Sequence, residues 1–258
     1  MRKNLNLGAQ LYTVRQYMQN EKDYAQTIKK IADIGYKYVQ VSGIGAGVTP
    51  AVIKRAAEDN NIKVILTHTP PGRIKDETEQ VIADHDVFGC PGIGVGGMFG
   101  HPRTEDGYKR FAEDYSGAVQ KIKDAGKVFL YHNHDFEFEK YNGKTGLDIL
   151  LENTDKDAFK LTFDTYWAQF AGVDPADFIE KYGDRIFATH LKDMIIETDG
   201  KKDMTEIYTG IMDFGKIFEA SNKTGVIWHF VEQDEVKIDA FESMRISHDN
   251  IMAKEYFK

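Results

Sequence analysis

One cysteine in 258 residues, Cys90, excludes an internal disulfide framework and a thiolate metal cage. It sits in "FGCPGIGVGG" at the mouth of an apolar run, where a buried small hydrophobe is the expected role rather than a reactive thiol. An excess of base is also missing. Lys and Arg number 33 against 41 Asp and Glu, a net charge of −8. That balance argues against nucleic acid as the main partner, because phosphate binding relies on concentrated Lys and Arg. The pairs Lys29-Lys30 and Lys201-Lys202 read as helix and loop surface. No stretch approaches the roughly 20 apolar residues of a membrane span, so no membrane partner is expected. The amino end, "MRKNLNLGAQLYTVR", has no long apolar stretch and no small-residue cleavage site, so it does not read as a secretory signal. A cytoplasmic protein is expected. The alternative is a mature periplasmic form whose signal was replaced by an initiator methionine.

Hydrophobic residues make up 41% of the chain, enough for a full core, and they come in a regular rhythm. Short apolar runs at 7–14, 38–43, 63–68, 92–97, 127–134, 159–164, 186–193 and 226–234 read as strands. Amphipathic stretches lie between them. In "DYAQTIKKIADIG", Tyr24, Ile28, Ile31 and Ile34 recur at helical spacing and Gly35 closes the helix. There is no Pro/Ser-rich linker and no low-complexity tract. Eight βα units in about 250 residues have the size and rhythm of a closed (β/α)₈ TIM barrel, expected as a single domain over 1–258. A doubly wound open sheet competes, but the first strand lacks a GxGxxG turn, and "GIGVGG" has the wrong spacing for one.

In such a barrel the active site forms at the carboxyl ends of the strands. Here the third strand ends in His68, the fifth in His132 and His134, and the sixth in Asp164. The seventh ends in His190, Lys192 and Asp193, and the eighth in Glu232 and Asp234. Gln10, Tyr12 and Arg15 cluster at the end of the first, and Gln40 falls late in the second. Taken singly, a His at a strand end is usually a hydrogen-bonded structural residue, and an Asp there is often a helix cap. Five strands ending together in His, Asp and Glu are better explained by a shared divalent cation. Mixed imidazole and carboxylate donors suit Mn²⁺, Zn²⁺, Fe²⁺ or Co²⁺ better than Ca²⁺. Alternation puts His132 and His134 on one face, His190 and Lys192 on another, and Glu232 with Asp234. Within each pair the residue nearer the barrel centre should bind metal and the outer one should meet substrate.

These residues resemble the sugar phosphate isomerase/epimerase superfamily, with its xylose-isomerase-like barrel, over nearly the whole chain. The likeness rests on "LGAQLYTVR", "GYKYVQVSG", "THTP", "YHNHDFEF", "FDTYWAQFAGVDP", "HLKD" and "VEQD". Within the superfamily the chain looks most like inosose dehydratase-like proteins and those acting on 3-keto sugars and glycosides. The resemblance implies one divalent ion (Mn, Zn, Co, Fe or Mg) held by a Glu, an Asp, a His and a Glu from the fifth to eighth strands. Asp164, His190 and Glu232 match the last three. Where many members read Glu-Asn-His, this chain reads His132-Asn133-His134, so His132 takes the first place, with His134 or Glu137 as alternatives.

That departure bears on the reaction the resemblance implies. Epimerases of the group use the two metal-binding glutamates as acid and base on opposite faces of an enediolate. With His at the fifth strand that pair is broken. A ketose 3-epimerase or aldose–ketose isomerase loses ground to dehydration or cleavage of a 3-keto sugar. Glu232, His132 or His134 is expected as the base, and Lys192 and His68 are expected to meet substrate oxygens or protonate a leaving group. Asp193 is expected to orient Lys192 or a ligand, or to meet substrate with Glu137. Tyr12, Phe99 and Trp167 offer apolar faces to a sugar ring, and Glu139 is expected to face solvent. The absence of a phosphate cradle points to an unphosphorylated sugar or cyclitol. Two other classes compete: a metal-dependent AP endonuclease-like nuclease, and a non-catalytic sugar-binding barrel. Acidic barrels of this type often pair, which makes a homodimer the assembly to test.

Overall fold

Each apolar run forms a short strand that cannot hairpin onto the next, because a helix or long loop intervenes; parallel pairing is the outcome. The computed structural model describes residues 5–257. Met1 to Asn4 and Lys258, the outer ends of the expected domain and part of the stretch read for a signal, lie outside the described residues. The strands are β1 (Asn6–Gln10), β2 (Tyr38–Val41), β3 (Lys63–His68), β4 (Gly92–Val95), β5 (Val128–His132), β6 (Phe159–Asp164), β7 (Ile186–Leu191) and β8 (Trp228–Val231). Each pairs in parallel with its chain neighbours. β1 and β8, with Asn6 opposite Trp228 and Ala9 opposite Val231, close the ring. The architecture is the (β/α)₈ barrel that the rhythm predicts.

The helices are α1 (Glu21–Ile34), α2 (Pro50–Asp59), α3 (Pro71–Asp76), α4 (Thr78–Val87), α5 (Glu105–Asp124), α6 (Gly146–Glu152), α7 (Thr165–Phe170), α8 (Pro175–Tyr182), α9 (Phe214–Thr224) and α10 (Ala240–Met252). α1 shows how locally they are specified. Asn20 caps its start by accepting from Asp23 N, its buried face carries Tyr24, Ile28 and Ile31, and Gly35 ends it at a φ of 123°. Among the described residues no helix is long and apolar enough to cross a membrane.

Several strands are shorter than the apolar runs suggest. The first stops at Gln10, whose side chain accepts from Tyr12 N at 3.2 Å and turns Leu11–Tyr17 into a 3₁₀ helix. β5, β7 and β8 end at His132, Leu191 and Val231. His134, Lys192 and Glu232 therefore stand on the turns that leave the barrel. An antiparallel pair, Asp193–Ile196 with Lys202–Thr205, follows β7 and was not legible as a hairpin in the sequence.

Inside the ring, Leu66, Leu130, Ala188 and Phe230 pack together, while Val39, Val64, Ile93, Phe129, Leu161 and Val231 join the layer beneath the helices. The inward positions of β4 are glycines because the space is already taken. A Cβ on Gly92 would lie 2.8 Å from Leu66 Cβ and 2.8 Å from Leu130 Cδ1. "GIGVGG" is thus a barrel strand yielding to large neighbours, not a nucleotide loop.

Two one-residue slips decide what points into the mouth. β3 slips against β2 between Val39 and Gln40, and β7 slips against β6 between Leu161 and Thr162. Below each slip Val64 and Ile186 pack outward; above it Leu66 and Ala188 pack inward. Because alternation has period two, each slip exchanges the faces and turns His68 and His190 into the barrel.

The packing at β4 can be tested directly. A Cβ on Gly94 would lie 2.5 Å from the Thr67 carbonyl oxygen. Gly94→Ala should cost about 1–3 kcal/mol of stability, read as a lower urea midpoint. An unchanged midpoint would show that the wall has room to spare.

Candidate functional site at the carboxyl ends of the strands

Four buried side chains from consecutive strands meet at the barrel mouth. One ligand atom from each of His132, Asp164, His190 and Glu232 lies within 4.8 Å of all the others. Asp164 ends β6 and begins α7, and its two oxygens divide the work. Oδ1 accepts from Trp167 N at 3.0 Å as the helix cap, while Oδ2 faces His132 Nε2 at 3.1 Å. The Asp164 N–H donates to Asn133 Oδ1 at 2.9 Å, which fixes the joint between β5 and β6.

His190 is held from behind. Its Nε2 lies 2.6 Å from Gln40 Oε1, an atom that only accepts, so Nε2 carries a proton. Nδ1 is then aimed at Glu232 Oε2, 2.9 Å away, and at Asp164 Oδ2, 3.6 Å away. A lone pair facing two carboxylates needs a proton or a cation between them. Burial opposes the imidazolium, but Glu232 and Asp164 outweigh it and raise the pKa of His190. His132 goes the other way: burial and the neighbouring His190 lower its pKa against the pull of Asp164.

Lys192 adds a fixed positive charge to the same carboxylates. Its Nζ is fully buried and lies 2.7 Å from Asp164 Oδ2, 2.9 Å from Glu232 Oε2 and 3.0 Å from Asp234 Oδ2. Burial alone would discharge a lysine; Asp164, Asp234 and Glu232 instead hold its pKa well above the ordinary value. Reciprocally, burial resists ionisation of Asp164 and Glu232, yet Lys192 and the nearby histidines keep both well below the usual carboxylate range. Lys192 therefore braces the cluster. It is committed to carboxylates rather than aimed at substrate.

Above the cluster opens a cavity of about 310 Å³, lined by Tyr12, Ser42, His68, Phe99, His132, His134, Glu232 and Asp234 among others. His68 stacks on His132 with ring centroids 5.2 Å apart, its Nδ1 is 3.4 Å from Ser42 Oγ, and its Nε2 has no partner. His134 stands 4.7 Å from His132, centroid to centroid, and stacks on Phe136. Burial lowers the pKa of both, that of His134 to about 3, so each is a neutral imidazole near pH 7. Tyr12 lines the cavity with one ring face under the Arg15 guanidinium, 4.1 Å away. Phe99 is 55% exposed at the rim.

Two expected residues lie elsewhere. Asp193 is fully buried, but it accepts from the backbone N–H groups of Met194, Gly210 and Met212 at 2.7, 2.9 and 3.1 Å. It anchors the segment after β7 and bonds neither Lys192 nor the cluster. Glu137, the alternative fifth-strand ligand, turns away from the other donors. It accepts from Tyr131 Oη at 2.6 Å and from His134 N at 2.8 Å, shaping the turn that presents His134. Burial raises its pKa to about 7. Glu139 is exposed, as expected. Cys90 is buried and bonded to the Gly92 carbonyl, with its thiol pushed up to about 12 by burial, and so it is unreactive. Ser42, and the partnership of Gln40 with His190, have no counterpart among the residues expected from the sequence. Both are polar residues near the end of β2 that carry no metal-ligand signature.

Residues 28–238 match the model of the xylose isomerase-like TIM barrel family. The chain belongs to this family. Its relatives include inosose dehydratase of Lacticaseibacillus casei, 28% identical over 156 residues, 54% of this chain and 52% of that protein. The match thus spans about half the length of that relative. Inosose dehydratase of Clostridium beijerinckii is 25% identical over 264 residues, 86% of each chain. Among solved structures, a sugar phosphate isomerase/epimerase from Parabacteroides distasonis superposes with a TM-score of 0.83 at 22% identity, covering 99% of this chain and 96% of that one. At that identity the superposition speaks for the fold alone.

As a member of this family the chain departs at one donor, with imidazole where the resemblance expects a carboxylate on the fifth strand. The set present, two imidazoles and two carboxylates with His190 Nδ1 turned inward, still fits a divalent transition-metal ion. Lys192 competes for the same two carboxylate oxygens. Lys192→Met should therefore tighten Co²⁺ or Mn²⁺ binding by about tenfold or more, roughly 1.4 kcal/mol, in a calorimetric titration. Weaker binding in the variant would mean that the ammonium supports the metal rather than opposing it.

Glu137 supports a second measurement. Burial holds its folded-state pKa above that of a free glutamate. The native state thus holds a proton that the unfolded chain has released, and this contribution to stability is lost as pH rises through about 7. Glu137→Gln cannot ionise, so its stability relative to the parent should improve between pH 5 and pH 8, read by melting temperature. A constant difference at both pH values would contradict a buried, high-pKa carboxylate.

Proposed function

We propose that this protein is a divalent-metal-dependent enzyme, one barrel domain over 1–258, that acts on a keto sugar or keto-cyclitol. The reaction we propose removes a proton beside the carbonyl and eliminates a group from the next carbon. The observation that carries the reading is the convergence of His132, Asp164, His190 and Glu232 beneath a cavity lined by two neutral imidazoles. Inosose dehydratase relatives, one matched over 86% of both chains, point the same way.

His132, Asp164, His190 and Glu232 would hold the ion (Mn, Zn, Co, Fe or Mg), which when bound supplies Lewis-acid polarisation of the substrate carbonyl. His134 is the base in this reading: its ring lines the cleft, its Nδ1 has no protein partner, and it is fixed by Phe136 and by the turn that Glu137 braces. It takes the proton from the carbon next to the carbonyl. The electron pair left behind delocalises as an enediolate, then forms a carbon–carbon double bond while the group on the following carbon leaves with its bonding pair and takes up a proton. The step is redox-neutral. His68, with Nε2 unpartnered, hydrogen-bonds a substrate oxygen, and ionised Glu232 accepts from a hydroxyl. Lys192 keeps Asp164 and Glu232 ionised and in place. A 3-epimerase is disfavoured, because the fifth-strand position offers an imidazole rather than a second glutamate.

Elemental analysis of the loaded protein, followed by a screen of keto-inositols, 3-keto-glucosides and simple ketoses, tests the reading. Asp164→Ala and His190→Ala should lose the metal with the circular dichroism spectrum preserved. His134→Gln should keep the metal and lower kcat by about 10²–10⁴-fold. A protein that takes up no divalent ion, or turns over none of these substrates, is not the enzyme described.

A further inference from the structure

The loop between β4 and α5 borders the cleft and is anchored at both ends. β4 stops at Val95, Tyr141 Oη donates to the Arg103 carbonyl at 2.9 Å, and Thr104 caps α5 by accepting from Gly107 N at 3.1 Å. Between these anchors the tip carries Phe99, which is exposed and lines the cavity. Gly97 and Gly100 flank it at φ of 145° and 77°, backbone conformations that glycine takes at no steric cost. A Cβ on Gly97 would lie 3.1 Å from His134 Cε1 and 3.8 Å from Phe99 Cε2, which places the tip against His134. Among the described residues the tip's own backbone bond, from Phe99 N to the Gly97 carbonyl at 3.1 Å, stays inside the loop. The side chain that ties the tip to the body of the barrel is His101.

Both ring nitrogens of His101 face oxygens that only accept. Nδ1 is 3.1 Å from the Phe99 carbonyl, and Nε2 is 3.0 Å from Asp114 Oδ2 on α5. A neutral imidazole has one N–H and can donate to one of them; an imidazolium donates to both. We propose that His101 is a proton-operated latch, whose charged ring holds the Phe99 tip at the cleft and whose neutral ring keeps Asp114 and releases the tip. The carboxylate keeps the remaining N–H because a hydrogen bond to a charged acceptor is the stronger. The Phe99 carbonyl then meets the Nδ1 lone pair and is repelled. The latched form thus binds the proton more tightly than the released form, so latching is favoured at low pH and lost as pH rises. The surroundings of the ring come from two helices and the loop itself. Phe111 and Tyr115 of α5 stand 5.3 and 6.4 Å from it, centroid to centroid, and burial, Asp114 and Asp76 push Tyr115 up to about 12. Lys75 of α3 approaches the same Asp114 oxygen at 3.9 Å, beyond hydrogen-bond reach. Arg103 is turned to the Phe136 ring, 3.6 Å from its centroid. The latch governs access to the cleft and stands whatever reaction the cleft carries.

Hydrogen exchange on the full-length protein tests the latch, at about pH 5.5 and about pH 8.5, on either side of an ordinary histidine's charge change. After correction for intrinsic rates, protection of the amides of residues 98–101 should fall by about fivefold or more at the higher pH, as one hydrogen bond is lost. Amides of α5 should show no such fall. Asp114→Asn separates the latch from general loosening. Its carboxamide N–H donates to Nε2 while the neutral ring's Nδ1–H donates to the Phe99 carbonyl, so protection should be equal at both pH values. His101→Phe should leave the tip unprotected at both. Equal protection of the parent at the two pH values, or a parent-like fall in Asp114→Asn, overturns the proposal. Nitrogen NMR of the parent labelled with ¹⁵N-histidine makes the test independent of the variants. Both ring nitrogens of His101 should be protonated at the lower pH, and Nε2 alone at the higher. A neutral ring with its proton on Nδ1 would equally overturn the latch.

Discussion

Lys192 places a fully buried ammonium within 3.0 Å of three carboxylates, and the mouth of the barrel is organised by that charge. Taking such ions out of water costs several kcal/mol each, and only close, multiple pairing offsets it. The pairing works in both directions. Asp164 and Glu232 stay ionised inside the protein because of Lys192, and Lys192 stays charged because of them. Removing one member of such a network typically costs about 3–5 kcal/mol, since the survivors are left uncompensated.

Around this centre, polar side chains serve two elements at once. Asp164 caps α7 with one oxygen and faces the other donors with the second. His190 is fixed at Nε2 by Gln40 from the opposite side of the barrel, which directs Nδ1 inward. Glu137 accepts from Tyr131 beneath the helices and from the His134 N–H at the cleft. Each such side chain is located by a bond unrelated to chemistry, so the reactive atoms have little freedom to reorganise. Such preorganisation is a general requirement of sites that must place reactive atoms accurately. The same economy links the buried donors to the aromatic side chains of α7, because the helix carrying Trp167 and Phe170 starts at Asp164.

The residues legible in the sequence were those whose position follows from strand periodicity. His132, Asp164, His190 and Glu232 are chemically distinctive and stand at the ends of recognisable apolar runs, and the fold brings them together. Asp193 had the same credentials on paper. Its chain direction changes after Leu191, however, and three backbone N–H groups of the following segment claim its side chain. Glu137 was a candidate ligand by composition, but one 3₁₀ turn faces it towards Tyr131 instead. Gln40 gave no signal, because an amide that holds a histidine looks like any other polar residue at the end of a strand.

The amino-acid sequence by itself determined the (β/α)₈ class, since alternating strand and helix patterns leave few other ways to bury so many apolar runs. It also determined which strand ends carry acid, base and imidazole groups. Only the tertiary structure decided which of those groups face one another. The one-residue slips beside β2 and β6 turn His68 and His190 inward. The reach of Lys192 to three carboxylates belongs to the same class. All depend on contacts between residues distant in the chain. A local pattern fixes the period of a strand but not its register against a neighbour, and register is what selects the face a side chain takes.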